Sequence, residues 1–160
     1  MPAFVEYASL AASLGTPVPR VLSGAAVLAT CASVGMDARG NYAAHTGPQA
    51  TPWAGNKGGK FCTAQGNILA GESVVSEMVR AFEGTTGHLS LRLMAALDAG
   101  QAAGGDKRGK QSAAMLIVKK DGGVWLHNDV VLRLQVDDNP EPLTELRRLV
   151  EMNARRFRAR

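Results

Sequence analysis

The sequence is short of cysteines, aromatic residues and long apolar runs. Its two cysteines, Cys31 and Cys62, form neither a disulfide framework nor a Cys-x-x-Cys pair, so we expect a reduced, cytoplasmic setting. No apolar run approaches the roughly 18 residues that cross a membrane. Glu6 and the absence of a basic stretch near the N-terminus argue against a signal peptide, and we expect no membrane partner.

A metal site is also not indicated by the spacing of possible ligands. His45, His88 and His127 lack metal-ligand spacing to one another and to the cysteines. The glycines and cations between residues 104 and 112 do not follow the nucleotide P-loop pattern. We therefore predict no metal and no cofactor.

What the sequence does contain fits one globular domain, residues 1–160, with ordinary hydrophobic content. Aromatic residues make up 5%, so the core should consist mainly of Ala, Val, Leu and Met. The net charge of +4 arises at the C-terminus, where residues 143–160 hold six arginines and two glutamates. This basic patch is too narrow for a nucleic-acid interface, so we do not expect nucleic acid as a partner.

Hydrophobic periodicity predicts the element order α, β, β, β, α, α, β, β, α. The predicted helices are Ala3–Leu14, Glu72–Glu83, His88–Ala103 and Pro140–Phe157, with a short turn possible at Val18–Ser23. The predicted strands are Ala26–Met36, Tyr42–Thr46, Phe61–Asn67, Gln111–Lys119 and Val130–Val136. Residues Gly47–Lys60 have little periodicity and are predicted to be a surface loop. Asp138 or Asn139 should cap the last helix, with Pro140 near its first position.

The strand Gln111–Lys119 is apolar on both faces, so we expect it to be central and covered on both sides. Hairpins outnumber crossovers in this order of elements. The fold class is therefore predicted as α+β, a mostly antiparallel sheet sandwiched by helices.

Two polar, glycine-rich segments flank the predicted helical pair and are the candidate sites. Residues Gly104–Ser112 have backbone N–H groups and cations suited to an anion, although a solvated loop that leads into the central strand is the favoured interpretation. Gln65 and Asn67 at a strand end could supply an oxyanion-type donor or bind an amide, or could close turns to the backbone. The candidate ligand-binding residues are His45, Trp53, Gln65, Asn67, Asp106, Arg108, Gln111 and Ser112.

Several multi-residue blocks resemble the DUF1028 family over roughly residues 34–149. These blocks are Trp53–Gly55, Ala64–Gly71, Ala99–Asp106, Arg108–Ala114 and Val136–Pro140. The resemblance implies a four-layer αββα sandwich similar to that of the N-terminal-nucleophile (Ntn) hydrolases, with no known substrate. In such hydrolases the first strand opens with Thr, Ser or Cys, whose side chain attacks while its free α-amine acts as the base.

This chain begins Met1-Pro2-Ala3, so it departs from that pattern. We expect a sandwich that is incomplete at its N-terminus and a DUF1028-like protein of unknown function that does not catalyse a reaction by itself. One alternative is an amidohydrolase whose nucleophile is supplied upstream or by a partner. Another is a module that binds an anion or a small ligand such as an amide.

An incomplete sandwich should leave a sheet edge and an apolar face uncovered, and such surfaces usually mark an interface. We therefore predict a homo-oligomer, with Ala3–Leu14 covering part of the gap.

Overall fold

The computed structural model describes residues 32–37, 39–123 and 128–158, with six strands and three helices in those ranges. The strands are β1 (Ala32–Met36), β2 (Tyr42–Thr46), β3 (Gly55–Gly59), β4 (Cys62–Gly66), β5 (Ala113–Val118) and β6 (Val130–Val136). The helices are α1 (Glu72–Gly84), α2 (Leu89–Ala102) and α3 (Pro142–Arg158). The described strands form three antiparallel hairpins, so the α+β class is confirmed.

The first hairpin, β1–β2, turns where the sequence predicts it. The Asp37 carboxylate accepts hydrogen bonds from the backbone N–H groups of Arg39 and Asn41 at 2.8 and 2.9 Å, and Gly40 has a φ of 83°. Side chains of this type stabilise tight turns by replacing backbone hydrogen bonds. The predicted strand started at residue 26, and its part before residue 32 lies outside the described residues, as do the predicted helices at 3–14 and 18–23.

The prediction of a loop across Gly47–Lys60 is wrong at its end, because Gly55–Gly59 forms β3 and pairs with β4. A Cβ atom on Gly58 would overlap the Tyr42 ring of β2, and one on Gly59 would overlap Val79 of α1. Hairpin β1–β2 therefore lies on one face of β3–β4, and α1 lies on the other. Tertiary contacts of this kind select glycine and leave no periodic signal in the sequence.

The helical pair α1 and α2 is confirmed within a residue or two of its predicted ends. The buried face of α1 consists of Val74, Val75, Met78, Val79 and Phe82. Gly100 of α2 lies against the Met78 side chain, where a Cβ atom would be too close. Beyond α2, Gly104 and Gly105 have φ values of 116° and 55°, the left-handed backbone that ends many helices.

The expectation that both faces of β5 are covered is wrong for the described part of the chain. Met115 and Ile117 are 5% and 6% exposed and face the core, whereas Leu116 and Val118 are 59% and 52% exposed. The apolar run of β5 therefore has one buried face, against the helices, and one open face.

The last helix begins two residues later than predicted, at Pro142 rather than Pro140. Asn139 does contribute to its start, since its side-chain oxygen accepts a hydrogen bond from the Glu141 N–H at 2.8 Å. Within the described ranges, none of the helices has the length and apolar character needed to span a bilayer.

Candidate functional site

Two chain segments that meet beyond β4 define the candidate site. The Ala70 N–H donates to the Gly105 carbonyl and the Lys107 N–H to the Ile68 carbonyl, both at 2.9 Å, around an antiparallel bridge between Leu69 and Asp106. If this register continued, Asn67 would lie opposite Arg108 and Gln65 opposite Lys110. In the described residues it does not continue, because β4 pairs with β3 and β5 with β6. Where the segments part, a cleft of about 240 Å³ opens.

The floor of this cleft is apolar and comes from all the elements around it. Its lining side chains belong to the turn after β4, both central helices, β5, β6 and α3. They are Leu69, Val74, Met78, Leu97, Ala113, Val136, Pro142 and Leu143. Most of them are buried members of the hydrophobic core, so the cleft reaches into the core and is not a surface depression.

The rim of the cleft is polar. Its side chains come from the β4 end, the end of α2, the segment before β5 and the end of β6: Gln65, Asn67, Gln101, Asp106, Arg108, Lys110, Ser112 and Asp137. An apolar interior with a few convergent polar groups is the usual composition of a small-molecule site.

An ion pair between a buried carboxylate and an exposed arginine organises one side of the rim. The Asp106 carboxylate, with a side chain 2% exposed, accepts hydrogen bonds from the Arg108 backbone N–H at 2.7 Å and from Arg108 Nε at 2.9 Å. Burial by itself would raise the pKa of Asp106. The hydrogen bonds and the positive charge of Arg108 outweigh burial and hold that pKa below its ordinary value.

The second rim cation, Lys110, is also paired. Its Nζ lies 2.5 Å from the Glu141 carboxylate, just before α3. The next residue, Gln111, donates from its side-chain amide to Asp138 at 3.0 Å, and its carbonyl accepts from the Asn139 N–H at 2.9 Å. These contacts tie the segment before β5 to the start of α3.

Ser112 contributes a hydroxyl with an unusual environment. Its Oγ is buried and has no hydrogen-bond partner in the part of the chain that the structure describes, yet Ser112 lines the cleft. Because this oxygen has almost no accessible surface, Ser112 lines the cleft with its other atoms, and the hydroxyl itself does not face the open space.

Five of the eight candidate residues line this cleft: Gln65, Asn67, Asp106, Arg108 and Ser112. The other three are elsewhere. Gln111 binds Asp138 beside the cleft, and His45 is exposed on β2. Trp53 is half-buried, with its ring over Gly55 and its carbonyl accepting a hydrogen bond from the N–H of Leu69 at 3.1 Å. Trp53 therefore contacts the floor residue Leu69 through its backbone and does not line the cleft itself.

Gln101, Asp137 and the apolar floor were not among the sequence candidates. Gln101 and Asp137 lie inside the blocks Ala99–Asp106 and Val136–Pro140, which was the available signal for them. Periodicity marked the floor residues as core and could not show that a cleft ends on them.

The described residues contain neither an activated thiol nor a cluster of metal ligands. Cys62 is a free cysteine with 0% exposure, and burial, followed by the Glu83 carboxylate, raises the pKa of its thiol. A protonated, inaccessible thiol is a poor nucleophile. Residues 32–37, 39–123 and 128–158 contain no group of three His, Cys, Asp or Glu residues able to hold a metal ion.

Comparison with known proteins connects this architecture to a family. The model described as "Family of unknown function (DUF1028)" matches residues 32–146. The chain belongs to the DUF1028 family. Its matched segment contains both sides of the cleft and confirms the resemblance, which was predicted over residues 34–149. No curated protein matches the chain.

One solved DUF1028 structure is protein SPO2555 from Silicibacter pomeroyi. It is 32% identical to the chain, with a TM-score of 0.64, over 74% of this chain and 48% of that one. The chain thus spans about half the length of that DUF1028 protein. The function of the family is unknown.

Proposed function

We propose that this chain is a small-ligand-binding domain of the Ntn-hydrolase-like αββα class that does not catalyse a reaction by itself. The contacts of β3–β4 support the layering, because Gly58 faces hairpin β1–β2 while Gly59 faces α1. The single observation that carries the binding function is the cleft between the diverging segments, with its apolar floor and polar rim.

The rim offers hydrogen bonds but no activated nucleophile among its described residues. The Ser112 hydroxyl has no hydrogen bond to a general base there, and Cys62 is buried with a raised pKa. Nucleophilic catalysis requires a base within hydrogen-bond reach or a lowered pKa. The site is therefore better suited to binding than to covalent chemistry.

A fragment screen by amide NMR on the full 160-residue chain tests this proposal. We expect hits to shift the amide signals of Gly66, Gly105 and Ala113, which surround the cleft. Leu97→Trp should fill the floor and abolish these shifts. Leu91→Trp is the matched control, since Leu91 is half-buried on the same helix but does not line the cleft. A screen without cleft shifts, or hits unaffected by Leu97→Trp, would contradict the proposal.

A second candidate is an amidohydrolase in which another segment or a partner supplies the nucleophile. Two observations favour this candidate. The chain covers only 48% of SPO2555, and Gln65 and Asn67 place side-chain amides on the rim of the cleft. A burst of acyl or amide product from this chain with a complementing segment, lost on changing one Ser, Thr or Cys of that segment, would favour it. Steady absence of product would reject it.

We also propose that the open face of β5 is covered by a second copy of the chain, in a cytoplasmic homo-oligomer. Leu116 and Val118 give this face its apolar character, and exposed apolar strands commonly pair or stack with another chain. The free thiol of Cys62 accords with a reducing compartment.

A further inference from the structure

We infer that two copies of the chain pack their β5–β6 hairpins face to face, with Arg133 of each copy against Asp137 of the other. This inference rests on the proposed homo-oligomer and specifies its contact. It joins two observations, the open apolar face of the hairpin and a pair of opposite charges on that same face.

The open face of the hairpin combines apolar and charged side chains. Leu116 of β5 is 59% exposed, and its cross-strand partner on β6 is Arg133. Gln135 is the cross-strand partner of Ala114, and residues opposite each other in an antiparallel pair share a face. Asp137 extends this row, since its carboxylate accepts hydrogen bonds from the Gln135 side chain at 3.0 and 3.1 Å.

The two charges on this face are not matched within one chain. Arg133 and Asp137 are four residues apart, which corresponds to about 13 Å along a strand. Both are exposed, and none of the five ion pairs between described residues includes either of them. A face with a positive charge at one point and a negative charge further along is complementary to a reversed copy of itself.

Two-fold symmetry then selects the orientation of the second copy. An axis that lies in the interface, runs across the strands and passes beside Gln135 places Arg133 over the partner's Asp137, and does so twice. An axis along the strands would place Arg133 over the partner's Leu116, where the guanidinium would lose water without gaining a carboxylate. The first arrangement also brings the partner's hairpin over Leu116, which removes exposed apolar surface.

The end of this face coincides with the mouth of the cleft, because Ala114 and Asp137 both line the cleft. The partner's Arg133 therefore joins the rim beside Asp137, and each cleft of the dimer receives one side chain from the other copy. The apolar floor, in contrast, is built within one chain.

Charge reversal tests this arrangement, with sedimentation of the full 160-residue chain over a range of concentrations as the measurement. Arg133→Asp should weaken the dimer by at least about tenfold, because it creates two contacts between like charges. Asp137→Arg should weaken it by a similar factor. The chain that carries both changes regains opposite charges across the interface and should dimerise within about threefold of the wild type.

A mixture of the two single variants provides a second measurement on the same contact. Each variant supplies the charge that the other lacks, so equimolar Arg133→Asp and Asp137→Arg should form mixed dimers that neither forms alone. Asp137→Asn should change dimerisation little, since it removes only an exposed pair and introduces no repulsion.

Lys57→Asp is the control, because Lys57 is exposed on β3 and its reversal changes the net charge by the same amount as Arg133→Asp. Its dimer should match that of the wild type. If the single variants weaken the dimer but neither the double variant nor the mixture recovers it, the inference is overturned. Reversals without effect, while Leu116→Asp still dissociates the dimer, would also overturn it and leave the proposed homo-oligomer standing. A monomeric wild type would overturn both.

Discussion

Hairpins β3–β4 and β5–β6 differ in how they are covered. Strand β4 of the first hairpin is less hydrophobic than β5 of the second, yet it is more completely buried. Strand β4 contains Thr63 and Gln65, yet its first three residues are fully buried, between hairpin β1–β2 and α1. Strand β5 consists entirely of apolar residues and alternates between buried and exposed. Coverage therefore depends on which layers meet each hairpin, and the described residues leave β5 with an open face and a cleft beside it.

The largest expected effect comes from breaking the alternation along β5. Ile117→Asp would bury a carboxylate without a partner and should destabilise the fold by more than about 4 kcal/mol. Leu116→Asp, one residue earlier on the open face, should change the stability of the isolated monomer by only about 0.5 kcal/mol. Urea unfolding of both variants measures the difference.

Sedimentation of the same two variants sharpens the comparison, since Leu116→Asp should dissociate the proposed oligomer while the monomer stays folded. Comparable losses of stability in the two variants would show that both faces of β5 are covered within one chain. A wild-type chain that sediments as a compact monomer would reject the proposed second copy.

A smaller effect is expected at the bridge where the two hairpins part. Asp106→Asn should cost about 1–3 kcal/mol at neutral pH, because it removes charged hydrogen bonds to Arg108. The pKa of Asp106 is lowered in the folded state, so this stabilisation is present above its unfolded pKa of about 3.9 and is lost as the pH falls through the folded value. The difference in unfolding free energy between the wild type and Asp106→Asn should therefore disappear only in acid.

Urea unfolding from pH 7 down to pH 2 checks this dependence. Asp137→Asn is the control, because Asp137 is exposed and its carboxylate accepts hydrogen bonds from the exposed Gln135 side chain at 3.0 and 3.1 Å. If acid leaves the difference in unfolding free energy unchanged, the charge of Asp106 does not stabilise the bridge.

The helices and most strands were predictable because their periodicity is local. The stripe from Val74 to Phe82 and the turn at Asp37 can be recognised from the sequence alone. Strand β3 could not, since its glycines are selected by the Tyr42 ring and Val79, which are distant in sequence. The same limit explains why the open face of Leu116 was missed.

The polar rim was partly predictable for a different reason. Glycine-rich polar segments flank the helical pair, and five of the eight candidate residues line the cleft. Gln101 and Asp137 reach it from the ends of other elements, and only the tertiary structure brings them there. The pairing of Arg108 with Asp106 and of Lys110 with Glu141 also changes the chemistry expected of a basic loop.

Methyl NMR of the full-length chain tests most directly the assignment of the cleft and the open face to different molecules. We predict that the hits of the fragment screen shift the methyl signals of Leu69, Met78 and Leu97 and leave those of Leu116 and Val118 unchanged. Raising the protein concentration should shift the signals of Leu116 and Val118 and leave the cleft signals unchanged. If the hits instead shift Leu116 and Val118 while the cleft signals stay in place, the cleft is not the ligand site.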